Sequence, residues 1–184
     1  MSLNVVRGKY RGLKLASLSG EQTRPTLAKV KEAIFSMLNN HVYDACVLDL
    51  FSGSGALGIE ALSSNARHVD FNDMNKDALG IIKRNTSKLK DESYDIYNLD
   101  YHACIKELSS KKKVYDIIFL DPPYHLHLLN TILTLLEQYQ LINEESIIVC
   151  ESDLEEAIDV QGFDIYKEKK YGTCKIRFVR KENE

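Results

Sequence analysis

Short apolar runs recur along this chain, each parted from the next by a helix-length amphipathic segment, and that alternation leaves few folds open. Cys46–Leu50, Val69–Asn72, Asp95–Leu99, Tyr115–Leu120 and Ser146–Glu151 read as strands. Gly55–Ser63, Lys76–Leu89, Tyr101–Leu108 and Leu128–Gln138 read as the helices between them. Strand and helix in turn give an α/β doubly wound sheet, mostly parallel. The finish breaks the pattern. Phe163–Lys169 and Cys174–Val179 are separated only by Lys170-Tyr171-Gly172-Thr173, so a hairpin ends the sheet in an antiparallel edge. The start differs too. Residues 3–20 form a small β unit, with Leu3, Val5, Leu13 and Leu15 apolar and Gly8 and Gly12 as turn points. Leu27, Val30, Ile34 and Leu38 then follow at helical spacing, which predicts an amphipathic helix over 27–39 with Phe35 and Met37 as packing residues. The expectation is one domain across 1–184: a basic β extension (1–25), a helix (26–40) and an α/β core (45–184) on a seven-stranded sheet.

No apolar run approaches the roughly 20 residues of a membrane span, and Met1-Ser2-Leu3-Asn4-Val5 lacks a signal-peptide pattern. A cytoplasmic protein is expected. Cys46, Cys104, Cys150 and Cys174 lie far apart without a C-x-x-C pair, so reduced thiols in or near strands are expected rather than zinc or disulfides. His125 and His127 alternate among Leu126, Leu128 and Leu129, which favours a helix start over metal ligation. No metal is expected.

Charge is segregated along the chain. Residues 1–31 carry seven basic side chains and one acid; residues 32–166 carry ten and 23; residues 167–184 carry seven and three. A basic head and tail on an acidic body suit a polyanionic partner. Within the head, Arg7, Lys9, Arg11 and Lys14 interleave with Tyr10 and two glycines, a pattern that can follow a phosphate backbone and stack on a base. Arg24, in Thr23-Arg24-Pro25-Thr26, joins that set.

The candidate chemistry gathers where strands end. Ligands of open α/β sheets bind at the carboxyl ends of strands. Asp49, Asp73, Asp100 and Asp121 stand at or near four successive strand ends. The loop Phe51-Ser52-Gly53-Ser54-Gly55-Ala56-Leu57-Gly58 has glycine spacing that also fits a dinucleotide fingerprint. The acids discriminate, because a pyrophosphate beside Asp49 would be repelled. S-adenosylmethionine carries a sulfonium and an ammonium instead. A carboxylate–cation pair at roughly 4 Å is worth about 4 kcal/mol before desolvation, at an effective dielectric of about 20. On that reading Gly53 and Gly55 approach the methionine portion and Asp49 lies near its ammonium. Asp73 takes the ribose hydroxyls, Met74 packs on adenine, and Asp100 accepts from the adenine amino group with Phe51 and Tyr101 nearby. After Ile117–Leu120 comes Asp121-Pro122-Pro123-Tyr124: a carboxylate, a carbonyl exposed by proline geometry, and an aromatic face. Together they suit a planar group that donates an N–H, such as a nucleobase amino group. A strand-ending turn is the plainer alternative.

Val47-Leu48-Asp49-Leu50-Phe51-Ser52-Gly53-Ser54-Gly55-Ala56-Leu57-Gly58-Ile59-Glu60-Ala61-Leu62 with Asp121-Pro122-Pro123-Tyr124 resembles a class I S-adenosylmethionine-dependent methyltransferase acting on amino nitrogen. Gly8-Lys9-Tyr10-Arg11-Gly12, Thr23-Arg24-Pro25-Thr26 and Val30-Lys31-Glu32-Ala33-Ile34-Phe35 narrow the resemblance to the RsmD family. That resemblance implies a Rossmann-like fold and methylation of guanine N2 at one position of 16S rRNA. It also implies monomeric action on an assembled or partly assembled 30S subunit. Asp73 stands where that family commonly has glutamate, with Asn72 and Asn75 around it. The rival readings are a DNA adenine-N6 methyltransferase, a non-catalytic RNA-binding or ribosome-assembly module and, more distantly, a nicotinamide oxidoreductase.

Overall fold

The computed structural model describes residues 3–18 and 25–182. The main sheet has seven strands in the order β5-β4-β3-β6-β7-β9-β8. These are β3 (Cys46–Asp49), β4 (His68–Asn72), β5 (Tyr94–Tyr97), β6 (Ile117–Leu120), β7 (Ile147–Asp153), β8 (Phe163–Tyr171) and β9 (Cys174–Lys181). β5 through β7 run parallel, while β9 is antiparallel to β7 and to β8. The expected doubly wound sheet with an antiparallel hairpin edge is therefore present, and the hairpin turn shrinks to Gly172-Thr173. A separate two-stranded ladder, β1 (Leu3–Asn4) with β2 (Lys14–Leu15), is what the N-terminal β unit becomes.

The unbroken apolar runs have a simple cause. Side chains alternate across the sheet, and both faces are covered. Val47, Ile117, Phe119 and Val149 enter one core layer, while Leu48, Ile118, Leu120 and Cys150 enter the other. The first layer also takes α1 (Pro25–Leu38), through Val30, Ile34, Phe35 and Leu38, together with Val5 and Leu15 of the extension. Phe35 is a packing residue as expected, its ring 5.7 Å from that of Phe119. α5 (Leu129–Gln138) buries Leu129, Ile132, Leu133 and Leu136 in the second layer, the i, i+3, i+4, i+7 stripe of an amphipathic helix. α3 (Lys76–Thr86) starts on the Asn75 side chain, which accepts from the Asp77 N–H, and ends with Lys83 and Arg84. Both ends suit the helix dipole. Three of the four cysteines lie in strands; Cys104 is instead buried in α4 (Tyr101–Ser110).

What attaches the extension to the core is a carboxylate. Glu60, on α2 (Ala56–Ser63), is fully buried and accepts from the Val6 N–H at 3.1 Å and the Arg7 N–H at 2.7 Å. Lys31 of α1 pairs with its Oε2 at 2.9 Å and also donates to the Asn4 carbonyl at 2.6 Å. One turn on, Ser63 Oγ accepts from the Tyr10 N–H and donates to the Arg7 carbonyl, and its own carbonyl accepts from the Lys9 N–H. The chain passes so close that a Cβ on Gly8 would stand 1.8 Å from the Ser63 carbonyl oxygen. Gly8 also has φ +78°, so no other residue fits there without moving the loop.

Removing the cation of a buried pair leaves an uncompensated charge. Lys31→Met is expected to lower the free energy of unfolding by about 3 kcal/mol, measured by urea denaturation, and to expose the 5–13 segment to proteolysis.

Candidate active site

The sheet changes winding direction between β3 and β6: β3 leads to its neighbour β4 on one side, and β6 to its neighbour β7 on the other. A crevice opens at the carboxyl ends of such a strand pair. Asp49 is the last residue of β3 and Asp121 directly follows β6. Asp73 directly follows β4. Asp100 departs from expectation, because β5 stops at Tyr97 rather than Leu99. It is the N-cap of α4, its Oδ1 accepting from the His102 and Ala103 N–H groups at 3.0 and 3.1 Å. Its other oxygen makes neither capping bond.

Asp49 is 2% exposed and accepts from the Gly58 N–H at 3.0 Å, inside the first turn of α2. Gly58 is packed so tightly on Phe71 that a Cβ would come within 2.2 Å of its ring. Burial pushes the Asp49 carboxyl up to about 7, the Gly58 N–H opposes that rise, and the nearby Asp73 charge adds to it. Asp73 reaches back to the glycine loop: Oδ2 accepts from the Gly53 N–H at 2.8 Å and Oδ1 from the Asn75 N–H at 2.9 Å. Gly53 and Gly55 both have positive φ, 52° and 79°, and so turn the loop over the end of β3.

Three polar residues outside the expected set hold this loop in place. Asn72, buried in β4, donates to the Leu50 and Leu99 carbonyls and accepts from the Leu99 N–H. It thereby ties the ends of three neighbouring strand segments. Ser52 Oγ donates to the Asp49 carbonyl at 2.6 Å and accepts from the Asn72 N–H at 3.0 Å. Asn85, buried in α3, donates to the carbonyls of Ser54 and Ala16 and accepts from the Ala16 N–H.

These donors and acceptors fit a cationic nucleoside ligand. A positive group beside Asp49 would offset the burial and the Asp73 charge that oppose ionisation of its carboxyl. Met74 is 73% exposed immediately after Asp73, which leaves its side chain accessible to a ligand at that carboxylate. Phe51 and Tyr101 lie 6.1 Å apart by ring centroids, both half-buried. A pyrophosphate at this loop would face Asp49 and Asp73 together.

On the β6 side, Asp121 is exposed, Pro122 buried, Pro123 exposed and Tyr124 half-buried. All peptide bonds here are trans. Tyr124 opens a short 3₁₀ turn, Tyr124–Leu126, where a helix start was expected. Its hydroxyl donates to Glu151 Oε1 at 2.6 Å. Burial first, then the Glu151 and Asp121 charges, push that phenol far above its ordinary range. Glu151 is a fifth carboxylate at this edge. Its signal was available, as the last residue of the apolar run Ser146–Glu151.

The basic head is less free than its sequence suggests. Tyr10, expected to stack on a base, packs its ring on the first core layer and ties its hydroxyl to the Lys90 carbonyl and Glu92 Oε1, at 2.9 and 2.8 Å. Lys9 pairs with Glu92 at 2.6 Å. Lys9, Arg11 and Lys14 are exposed and Arg7 half-buried. Arg24 lies outside the described residues.

Among the described residues one other cluster gathers metal-ligating types: His68, Asp70 and Asp95. It lies at the opposite edge, since His68 begins β4. The Lys113 ammonium already lies 3.1 Å from Asp70 and 3.8 Å from Asp95. Tyr115 donates to Asp70 at 2.6 Å. That arrangement is a charge-compensated structural network.

Residues 3–180 match the family model described as "Conserved hypothetical protein 95". The chain is 35% identical to YlbH of Bacillus subtilis (strain 168), over 97% of this chain and 99% of that protein. It is 32% identical to ribosomal RNA small subunit methyltransferase D of Haemophilus influenzae, over 97% of this chain and 93% of that enzyme. Among solved structures, the Escherichia coli protein yhhF superimposes with a TM-score of 0.86 at 27% identity, over 99% of both chains. The sequence match and the shared architecture agree: this chain belongs to the "Conserved hypothetical protein 95" family, the RsmD family, and has the Rossmann-like fold of class I methyltransferases.

Proposed function

We propose that this protein transfers a methyl group from S-adenosylmethionine to the exocyclic N2 of one guanine in 16S rRNA, acting as a monomer on an assembled or partly assembled small subunit. The observation that carries the reading is the meeting of Asp121-Pro122-Pro123-Tyr124 with the carboxylate-fringed glycine loop, on the two strands that flank the switch point. Relatives named as small-subunit rRNA methyltransferases match along nearly the whole chain, which favours this reading over a DNA adenine methyltransferase.

S-adenosylmethionine, when bound, supplies an electrophilic methyl group on a sulfonium. The residues Asp49, Asp73, Met74, Asp100, Phe51 and Tyr101, with the Gly53–Gly55 loop, would hold it. The chain's own task is the nucleophile. Guanine N2 attacks poorly because its lone pair is delocalised into the ring. The Asp121 carboxylate and the Pro122 carbonyl each accept one N2–H, which localises that pair and aims it. Tyr124 supplies the face on which the extruded base rests. The proton leaves afterwards to Asp121 or water. Most of the acceleration is positioning and electrostatics. No helix among the described residues is long and apolar enough to cross a membrane.

Asp121→Ala is expected to abolish methyl transfer to 30S subunits while S-adenosylmethionine binding, read by calorimetry, stays within about twofold; normal turnover in that variant would exclude the mechanism. Mass spectrometry of rRNA nucleosides from a deletion strain should show one N2-methylguanosine missing.

Asp49 sets a pH dependence. Its carboxyl in the folded protein titrates at about 7, well above the ordinary carboxylate value. Above that pH it is ionised and attracts a cation; below it the group is neutral. Cofactor affinity is therefore expected to weaken as pH falls through about 7, with uptake of one proton, and Asp49→Asn should flatten the profile. A pH-independent wild-type affinity would contradict this role.

Reversing Arg7, Lys9, Arg11 and Lys14 to Glu is expected to weaken binding of the RNA-protein substrate and reduce its salt slope, leaving cofactor affinity unchanged. Unaltered activity on subunits would make the head a solubilising surface only.

A further inference from the structure

The site described above uses Tyr124 as a platform, and a platform must be held. Two prolines fix the backbone before it, but they leave the side chain its own torsions. The structure contains a second restraint. β6 and β7 pair in parallel with Leu120 opposite Cys150, so the next residues along, Asp121 and Glu151, come level at the same edge. Alternation puts Glu151, still within β7, on the face opposite Cys150, which enters the second core layer, and Asp121 lies near enough for its charge to act on Tyr124 as well. Glu151 Oε1 accepts the Tyr124 hydroxyl at 2.6 Å, a short charge-assisted bond.

The surroundings keep Glu151 in place. It lies opposite Ile176 of β9. The Cys174 thiol, at the start of β9, lies near enough for the Glu151 and Asp121 charges to act on it; burial and those charges push it up to about 12, so it remains a neutral donor. That thiol also donates to the Tyr171 carbonyl at 3.3 Å, which ties the hairpin tip to the same place. Glu151 thus stands between the hairpin and the reaction edge.

Resting on the reading of Tyr124 as the base platform, we infer that Glu151 is a positioning residue for methyl transfer: through the Tyr124 hydroxyl it locks the ring beside Asp121. Glu151 acts on the rate by sparing the base and the ring a search over rotamers. A purely structural tie between β7 and the 3₁₀ turn would change stability and leave kcat alone. The two roles separate by measurement.

Methyl transfer from labelled S-adenosylmethionine to 30S subunits is measured for full-length wild type, Glu151→Ala, Glu151→Gln, Tyr124→Phe and the double variant Glu151→Ala/Tyr124→Phe. Loss of a hydrogen bond to a charged group lowers kcat by about tenfold or more in Glu151→Ala and in Tyr124→Phe, with cofactor affinity within about twofold. Glu151→Gln keeps an acceptor oxygen and recovers most of the rate. The double variant is no slower than the slower single one, because both substitutions delete the same bond. Wild-type kcat in Glu151→Ala, or losses that multiply in the double variant, overturns the inference. Should Glu151→Ala fail to fold, Tyr124→Phe carries the test, since it removes that bond from the other side; an unchanged kcat there overturns it equally. A wild-type protein that transfers no methyl to RNA overturns the proposed function and this inference together. An active wild type with indifferent variants overturns only the inference.

Discussion

One buried carboxylate governs how this chain is put together. Glu60 has no exposure, and a charged group cannot be left in an apolar layer without partners. It finds the Lys31 ammonium and the Val6 and Arg7 N–H groups, which belong to α1 and to the extension. Satisfying it therefore requires two segments, the extension and α1, to meet on α2. The near contact of Gly8 with the Ser63 carbonyl follows from that meeting. The interaction is a constraint on arrangement more than a source of net stability, because desolvation offsets much of the attraction in a buried pair.

α2 is also the helix whose first turn carries the glycine loop. Its N-terminal end rests on Asp49 through the Gly58 N–H, and its C-terminal half holds the basic head through Glu60 and Ser63. Asn85 adds a second route between the same two regions, bonding Ala16 of the extension and Ser54 of the loop. The surface proposed to meet RNA and the loop proposed to meet the methyl donor are thus both tied to α2 and α3.

The carboxyl edge of the sheet is crowded with negative charge: Asp49, Asp73, Asp100, Asp121 and Glu151. Four of them are handled in different ways. Asp100 caps a helix, Asp73 binds two backbone N–H groups, and Glu151 accepts a phenol. Asp49 is buried enough to hold its proton near neutrality. Such a row is tolerable when hydrogen-bond donors are spread along it, and it becomes favourable when a cation arrives.

The linear order of residues determined the sheet's handed alternation, the parallel core, the antiparallel hairpin and the placement of Asp49, Asp73 and Asp121 at strand ends. These depend on local periodicity and on turn chemistry such as Asp-Pro-Pro, which any reader of the string can count. Asp100 is legible as an acid near a strand end, but its placement three residues past β5 is not, because strand length there is set by pairing with β4. The roles of Glu60, Asn72, Asn85 and Glu151 were decided only by the tertiary structure. Their partners lie 22 to 69 positions away, brought near by crossovers and register that no local pattern specifies. Tyr10 makes the same point in reverse. Its neighbours in sequence are cations that suit RNA, yet its neighbours in space are Lys90 and Glu92, and space decides where a hydroxyl finds its bond.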